Sequence, residues 1–314
     1  MIKNVTVMGG GVLGTQIAFQ AAYSGFNVTI WLRSEGSIER TKPKLEMVKN
    51  SYIDAIKLMD TNEGKSYENW CFGIADYEDF DKDECLKKVE EAYKSIKLEL
   101  DIEKAVSDSD LVIESMAEDF DAKKELYLKM APILPEKTIV VTNSSTMLPS
   151  KLAKYTGRPG MFLALHFANS IWKHNTAEVM VHKDTEDKYF EEIINFAKNI
   201  RMVALPVRKE KAGYLLNSIL IPFLFASLDL LVNGVSDPES IDKAWKLGTG
   251  APEGPFEILD TVGLKTAYNI VLMYTKIPSF LAPYNFKGME KLLKKYIDEG
   301  KLGKSSGEGF YSYK

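Results

Sequence analysis

The chain has 314 residues, about twice the length of a typical domain, which favours two domains. Hydrophobic residues make up 45% and charged residues 27%, a globular composition that excludes a disordered or fibrous chain. The net charge of −4 removes any general electrostatic drive toward nucleic acid or an anionic membrane. The longest apolar stretch, Leu215 to Val232, is interrupted by Asn217, Ser218, Pro222, Ser227 and Asp229, so no membrane span is expected. The first strand is read from Ile2, which leaves no room for a signal peptide. The only cysteines, Cys71 and Cys85, sit in no metal-like spacing; free thiols in a reducing cytosol are expected.

In chain order, residues 2–8 read as a buried strand, 12–24 as a helix and 27–32 as a second strand: a βαβ unit. Leu45, Val48, Tyr52, Ile56 and Met59 recur at helical spacing within 38–60. After a polar, aromatic-rich segment, a second amphipathic helix is predicted at about 83–98. This pair is expected to form an arm, residues 38–98, projecting from the sheet without a core of its own. Strands follow at 110–114, 138–142, 161–167, 177–182 and 202–207, with helices at 121–131 and 186–199. Beyond Pro206 the period changes and helices dominate. The expected fold is α/β: a Rossmann-type parallel sheet with an inserted helical arm (residues 1–206), then an all-α domain (207–314) for substrate and dimerisation.

Gly9, Gly11 and Gly14 fit G-x-G-x-x-G between the first strand and helix. Such glycines permit the tight turn, the approach of a pyrophosphate and close helix packing, with Val12 and Leu13 opening the helix whose N–H groups face the phosphates. An NAD site usually carries a carboxylate after the second strand. Here Leu32-Arg33-Ser34 stands there, and Arg33 and Ser34 suit a 2′-phosphate, with Arg40 and Lys42 nearby. NADP is therefore the preferred cofactor. NAD remains the alternative, with Arg33 merely solvated.

The three histidines, His166, His174 and His182, are evenly spaced but lack the spacing of metal ligands, so no metal is expected. His174 and His182 are read as solvated. His166 ends an apolar strand, where ligands sit in open α/β sheets. Glu178 follows twelve residues later, and a hairpin-like return brings its carboxylate to the imidazole. That pair makes an oriented general base. From these residues alone, a structural histidine is an equal alternative.

Nearly the whole chain outside the arm resembles the short-chain L-3-hydroxyacyl-CoA dehydrogenase family, which includes 3-hydroxybutyryl-CoA dehydrogenase. The likeness lies in VMGGGVLGTQIA, DLVIESMAEDFDAKKELY, VVTNSSTMLPSKLA, ALHFAN, GYLLNSIL, KLGTGAPEGPFEILDTVGL and GKLGKSSGEGFYSY. The resemblance implies His166 as the catalytic base, Glu178 as its orienting carboxylate, and Ser145 and Asn217 beside the substrate oxygen. It further implies cofactor contacts from Glu114, Lys123, Ser145 and Asn169, and an arm that helps cover CoA. On that arm Lys49 and Lys57 are candidates to meet a CoA phosphate, with plain solvated charges the favoured alternative. Departures are Leu32 for the acidic residue, Asn169-Ser170-Ile171-Trp172 after the histidine, Asn217-Ser218 in the helical domain and Ser305 near the end.

The expected function is oxidoreduction at C3 of a 3-hydroxyacyl-CoA in fatty acid metabolism, by a cytoplasmic homodimer. Its partner is the acyl-CoA substrate, with no nucleic acid or membrane partner. One alternative is a free hydroxy acid, as in gulonate- or carnitine-dehydrogenase-like enzymes. The other is a nucleotide-binding protein without catalysis, which would predict decay at His166, Glu178, Ser145 or Asn217; all four are present.

Overall fold

Short runs of aliphatic residues build the sheet in the computed structural model, which describes residues 2–313. The strands are β1 (Asn4–Met8), β2 (Asn27–Trp31), β3 (Lys97–Glu99), β4 (Leu111–Glu114), β5 (Ile139–Thr142), β6 (Phe162–Phe167), β7 (Thr176–Met180) and β8 (Val203–Val207). Their order is β3-β2-β1-β4-β5-β6-β7-β8. All neighbours pair in parallel except β6 and β7. Strands β4, β5 and β6 are buried along their full length. Helices on both faces account for their continuous apolar sequence. Strand order reverses between β1 and β4, the position at which doubly wound sheets open a ligand crevice.

The chain falls into two units, one ending at Leu215 and the other beginning at Leu216. The first holds the sheet and α1 (Val12–Tyr23), α2 (Glu35–Met59), α3 (Lys82–Ser95), α4 (Ile102–Val106), α5 (Phe120–Met130), α6 (Pro149–Ala153) and α7 (Asp187–Asn199). No helix among the described residues is long and apolar enough to cross a membrane.

The expected arm does not project. Leu45, Val48, Tyr52, Ile56 and Met59 of α2 and Cys85, Val89 and Ala92 of α3 are buried in the same core as α1 and the sheet. This explains α1, which is apolar nearly all round: the sheet covers one side and the α2–α3 pair the other. The connection between α2 and α3 also enters that core through Trp70, Cys71, Ile74 and Ala75. Inside it, the Gln20 side chain donates to the carbonyls of Gly73 and Ile200 and accepts from the Tyr52 hydroxyl. The second arm helix stops at Ser95, not 98. Ile96 turns extended, and Lys97–Glu99 adds to the sheet edge beside β2. Local periodicity cannot reveal such an edge pairing. Cys71 and Cys85 are buried free thiols.

The second unit contains α8 (Leu216–Val232), α9 (Pro238–Thr249), α10 (Pro255–Val262), α11 (Leu264–Tyr274) and α12 (Phe286–Asp298). Leu228, Phe256, Leu259, Val271, Met289 and Leu293 form its core. Two buried carboxylates organise it. Asp242 accepts from the N–H groups of Phe256 and Glu257 at the start of α10 and from the Tyr311 hydroxyl. Asp260 accepts from the N–H groups of Phe310 and Tyr311 and from the Tyr313 hydroxyl. The C-terminal glycine-aromatic segment is thus a structural latch onto α10.

Candidate active site

The glycine loop leads from β1 into α1. Gly9 has φ +118°, and a Cβ there would meet the Ser115 carbonyl oxygen at 2.9 Å. A Cβ on Gly14 would lie 2.2 Å from the Gly9 carbonyl oxygen, so the third glycine is required by helix–strand packing. Gly11 differs: a Cβ would meet nothing within 4 Å, so its backbone borders open space. Gly11 caps α1 without a side-chain cap, leaving the first N–H groups for an external acceptor. An adjoining cleft of about 210 Å³ is lined by Gly9, Gly11, Leu32, Arg33, Arg40 and Lys44, among others. These features fit a dinucleotide: an open cradle at a helix N-terminus, flanked by cations. Ser34 does not line this cleft. It caps α2 and its hydroxyl meets that of Ser37, which does line it.

Glu114 and Lys123 are fully buried and paired with each other at 2.5 Å. Glu114 also accepts from the Met116 N–H, the Tyr127 hydroxyl and the Thr142 hydroxyl. A buried pair survives only when its remaining lone pairs are satisfied, as here. It fixes the turn at Ser115–Ala117, which forms one wall of the cleft.

The antiparallel β6–β7 pairing puts His166 directly opposite Glu178. Such partners have Cβ atoms about 4.5–5.5 Å apart, within side-chain reach. The imidazole Nδ1 lies 3.0 Å from Glu178 Oε2, and Nε2 lies 3.0 Å from Ser145 Oγ. Glu178 Oε1 accepts the Leu215 N–H at 2.8 Å. The ionised carboxylate can only accept, so Nδ1 donates to it; in the neutral ring that leaves the lone pair on Nε2. His166 and Glu178 are 8% and 4% exposed, so this contact is shielded from water.

Two residues absent from the sequence reading complete the constellation. Glu118 accepts from the Ser145 N–H, the Ser144 hydroxyl and the Thr146 hydroxyl, holding the loop that carries Ser145. Tyr214 stacks on the His166 ring, with centroids 4.4 Å apart and planes at 16°, and donates its hydroxyl to the Ser144 carbonyl at 2.6 Å. Burial pushes the Tyr214 phenol above its ordinary pKa, so it stays a neutral donor. Glu118 was legible as a carboxylate following a strand's C-terminal end; Tyr214 is distant in sequence and had no such signal.

Asn169 is exposed on the loop after β6, and Asn217 lies in the first turn of α8 in the second unit. Lys49 is engaged within the arm, 2.7 Å from Glu90 and 4.9 Å from the Tyr93 ring centroid, so it is not a free phosphate anchor. Lys57 is exposed in the last turn of α2. His174 is exposed as expected, but His182 is buried, its Nε2 against the Pro159 carbonyl and its Nδ1 against the Asp184 N–H. The unusual Asn169–Trp172 segment packs into the arm: Trp172 meets Tyr52 at 5.3 Å, and its carbonyl accepts the Gly73 N–H.

Residues 4–211 match the NAD-binding domain of 3-hydroxyacyl-CoA dehydrogenase, and residues 213–313 match that family's C-terminal domain. The chain is 32% identical to the mitochondrial hydroxyacyl-coenzyme A dehydrogenase of Homo sapiens, covering 100% of this chain and 92% of that protein. It is 28% identical to a probable 3-hydroxybutyryl-CoA dehydrogenase of Bacillus subtilis, covering 99% and 98% of the two chains. A solved structure described as a diketoreductase with dual catalysis of dicarbonyl compounds is 44% identical, with a TM-score of 0.85 over 99% of both chains. The (S)-3-hydroxybutyryl-CoA dehydrogenase of Ralstonia eutropha is 25% identical, with a TM-score of 0.78 over 100% of both.

Proposed function

This chain belongs to the 3-hydroxyacyl-CoA dehydrogenase family, and on that premise we propose that it interconverts a short 3-hydroxyacyl-CoA and its 3-oxo form. The observation that carries this reading is His166, fixed by Glu178 with Nε2 turned to Ser145. In oxidation, Nε2 takes the C3 hydroxyl proton while the C3–H bond breaks, and Glu178 stabilises the imidazolium. In reduction, the same imidazolium returns the proton to the developing alkoxide. Hydride exchange at C3 is the chemistry that a bound nicotinamide supplies. Ser145 orients the oxygen on C3, and Asn217 enters this reading on the motif it shares with the family.

Ser145, His166 and Glu178 also have the connectivity of a nucleophilic triad. Two features argue against a nucleophilic serine. The Ser145 N–H is already taken by Glu118. That carboxylate also brings negative charge where an oxyanion would need donors.

We further propose NADP as the preferred cofactor. Leu32 replaces the usual carboxylate, and Arg33, Arg40 and Lys44 line the cleft. Buried free cysteines support the cytosol, and exposed Ile219, Leu247 and Met273 in the second unit support a homodimer.

A second reading takes a free dicarbonyl compound or hydroxy acid as substrate. The diketoreductase likeness favours it, as does the engagement of Lys49. The Asn169–Trp172 departure no longer counts for it, because packing against the arm explains that segment. The deciding experiment compares kcat/KM for acetoacetyl-CoA with that for free acetoacetate, the same dicarbonyl group without CoA, each with NADPH. Turnover confined to the free compound overturns the CoA reading.

A further inference from the structure

We propose that Tyr214 is a positioning residue for the acid–base step: its ring face holds the His166 imidazole in place as the proton moves. This rests on the reading of His166 as the general acid and base. Hydrogen bonds alone leave the imidazole loosely held during turnover. Nδ1 is pinned to Glu178, but the Ser145 bond on Nε2 must yield when a substrate oxygen arrives. The ring can then swing about its Nδ1 contact. A near-parallel aromatic face at 4.4 Å blocks that motion on one side.

The backbone around Tyr214 serves the same end. Gly213 has φ +82° and Tyr214 φ +52°, in the left-handed region that a bulky residue rarely enters. Strain of this kind persists where surrounding contacts over-determine it. This turn makes three such contacts at once. It lays the ring on His166, donates the phenol to the Ser144 carbonyl, and directs the Leu215 N–H to Glu178. One short segment therefore braces all three members of the constellation. A phenol kept neutral by burial also offers its negative π face to the imidazolium formed on proton transfer, an attraction absent for the neutral ring.

The test uses Tyr214→Leu, Tyr214→Phe and His166→Ala in the full chain. Readouts are kcat, KM, cofactor affinity, melting temperature, and the isotope effect with cofactor deuterated at the transferred position. The probe is acetoacetyl-CoA, or free acetoacetate if that proves the substrate. Tyr214→Leu should lower kcat by about 10²-fold, the scale of a misplaced catalytic group. KM and cofactor affinity should hold, while the isotope effect rises as proton and hydride transfer become limiting. Tyr214→Phe keeps the ring face and should recover most of the loss. Tyr214→Met carries the same expectation if the leucine variant does not fold. Wild-type kcat and isotope effect without the ring, or a phenylalanine variant as impaired as the leucine one, overturns the proposal. Full turnover in His166→Ala instead brings down the acid–base reading beneath it.

Discussion

Glu178 has both oxygens committed, one to the imidazole and one to the Leu215 N–H. Its replacement therefore acts through orientation and charge. His166→Ala should lower kcat by about 10²–10⁴-fold, the range for a general acid–base group, and leave cofactor affinity intact. Glu178→Gln should fall within the same range, because an amide neither fixes the tautomer as well nor stabilises the cation. Steady-state kinetics under conditions where chemistry limits would check both; near-full turnover in either removes the dyad from the mechanism. Arg33 is exposed and lines the cleft. Arg33→Ala should weaken NADPH binding roughly tenfold or more, since a charge-assisted bond contributes about 1.5–3 kcal/mol. NADH binding should hardly change. Equal loss for both cofactors, by nucleotide titration, means that Arg33 does not meet the 2′ position.

At the level of elements, the polar, aromatic-rich segment between α2 and α3 is part of the core. Trp70 is 3% exposed and donates its indole N–H to the Ala75 carbonyl. Trp70→Ala should cost about 3–5 kcal/mol in denaturant unfolding, as truncation of a core aromatic does. A surface cover would lose almost nothing. Glycines in the second unit give a contrast of sign. A Cβ at Gly309 would sit 2.0 Å from Asp260 Oδ1, displacing the carboxylate that holds the C-terminal segment. Gly309→Ala should destabilise by about 1–3 kcal/mol, as overpacking does. A Cβ at Gly248, in α9, would meet nothing within 4 Å. Gly248→Ala should raise stability by about 0.5–1 kcal/mol, the helix preference of alanine. Melting both variants beside the parent checks the pair.

The whole molecule combines a sheet unit with buried, satisfied polar pairs and a helical unit that leaves large apolar side chains exposed. Ile219 is 72% exposed, Met273 73% and Phe280 85%. Single exposed apolar residues are ordinary; several on one small helical unit point to association. Sedimentation at micromolar concentration should give the mass of a homodimer, and Ile219→Lys with Met273→Lys should shift it toward the monomer. A monomer in the parent protein removes this expectation.

Much of the sheet unit was legible in the chain itself. Continuous runs such as Leu111–Glu114 and Ile139–Thr142 mark strands covered on both faces, and Gly9 and Gly14 announce their turn because only a missing Cβ fits there. His166 and Glu178 were legible as a candidate pair, because a strand end and a return strand are local signals. The antiparallel register that sets them opposite each other was decided by the sheet. So was the edge strand at Lys97–Glu99, whose sequence continues a helical pattern until β2 offers it partners. Lys49, Glu114, Lys123 and His182 look like surface or ligand-facing groups by type alone, and each found a protein partner instead. Glu118 and Tyr214 reach the Ser145 loop from 26 to 70 residues away. Local sequence determines what each segment prefers. Only the packed chain decides which distant polar groups satisfy one another, because that choice minimises unpaired charge and hydrogen-bonding groups over the whole interior.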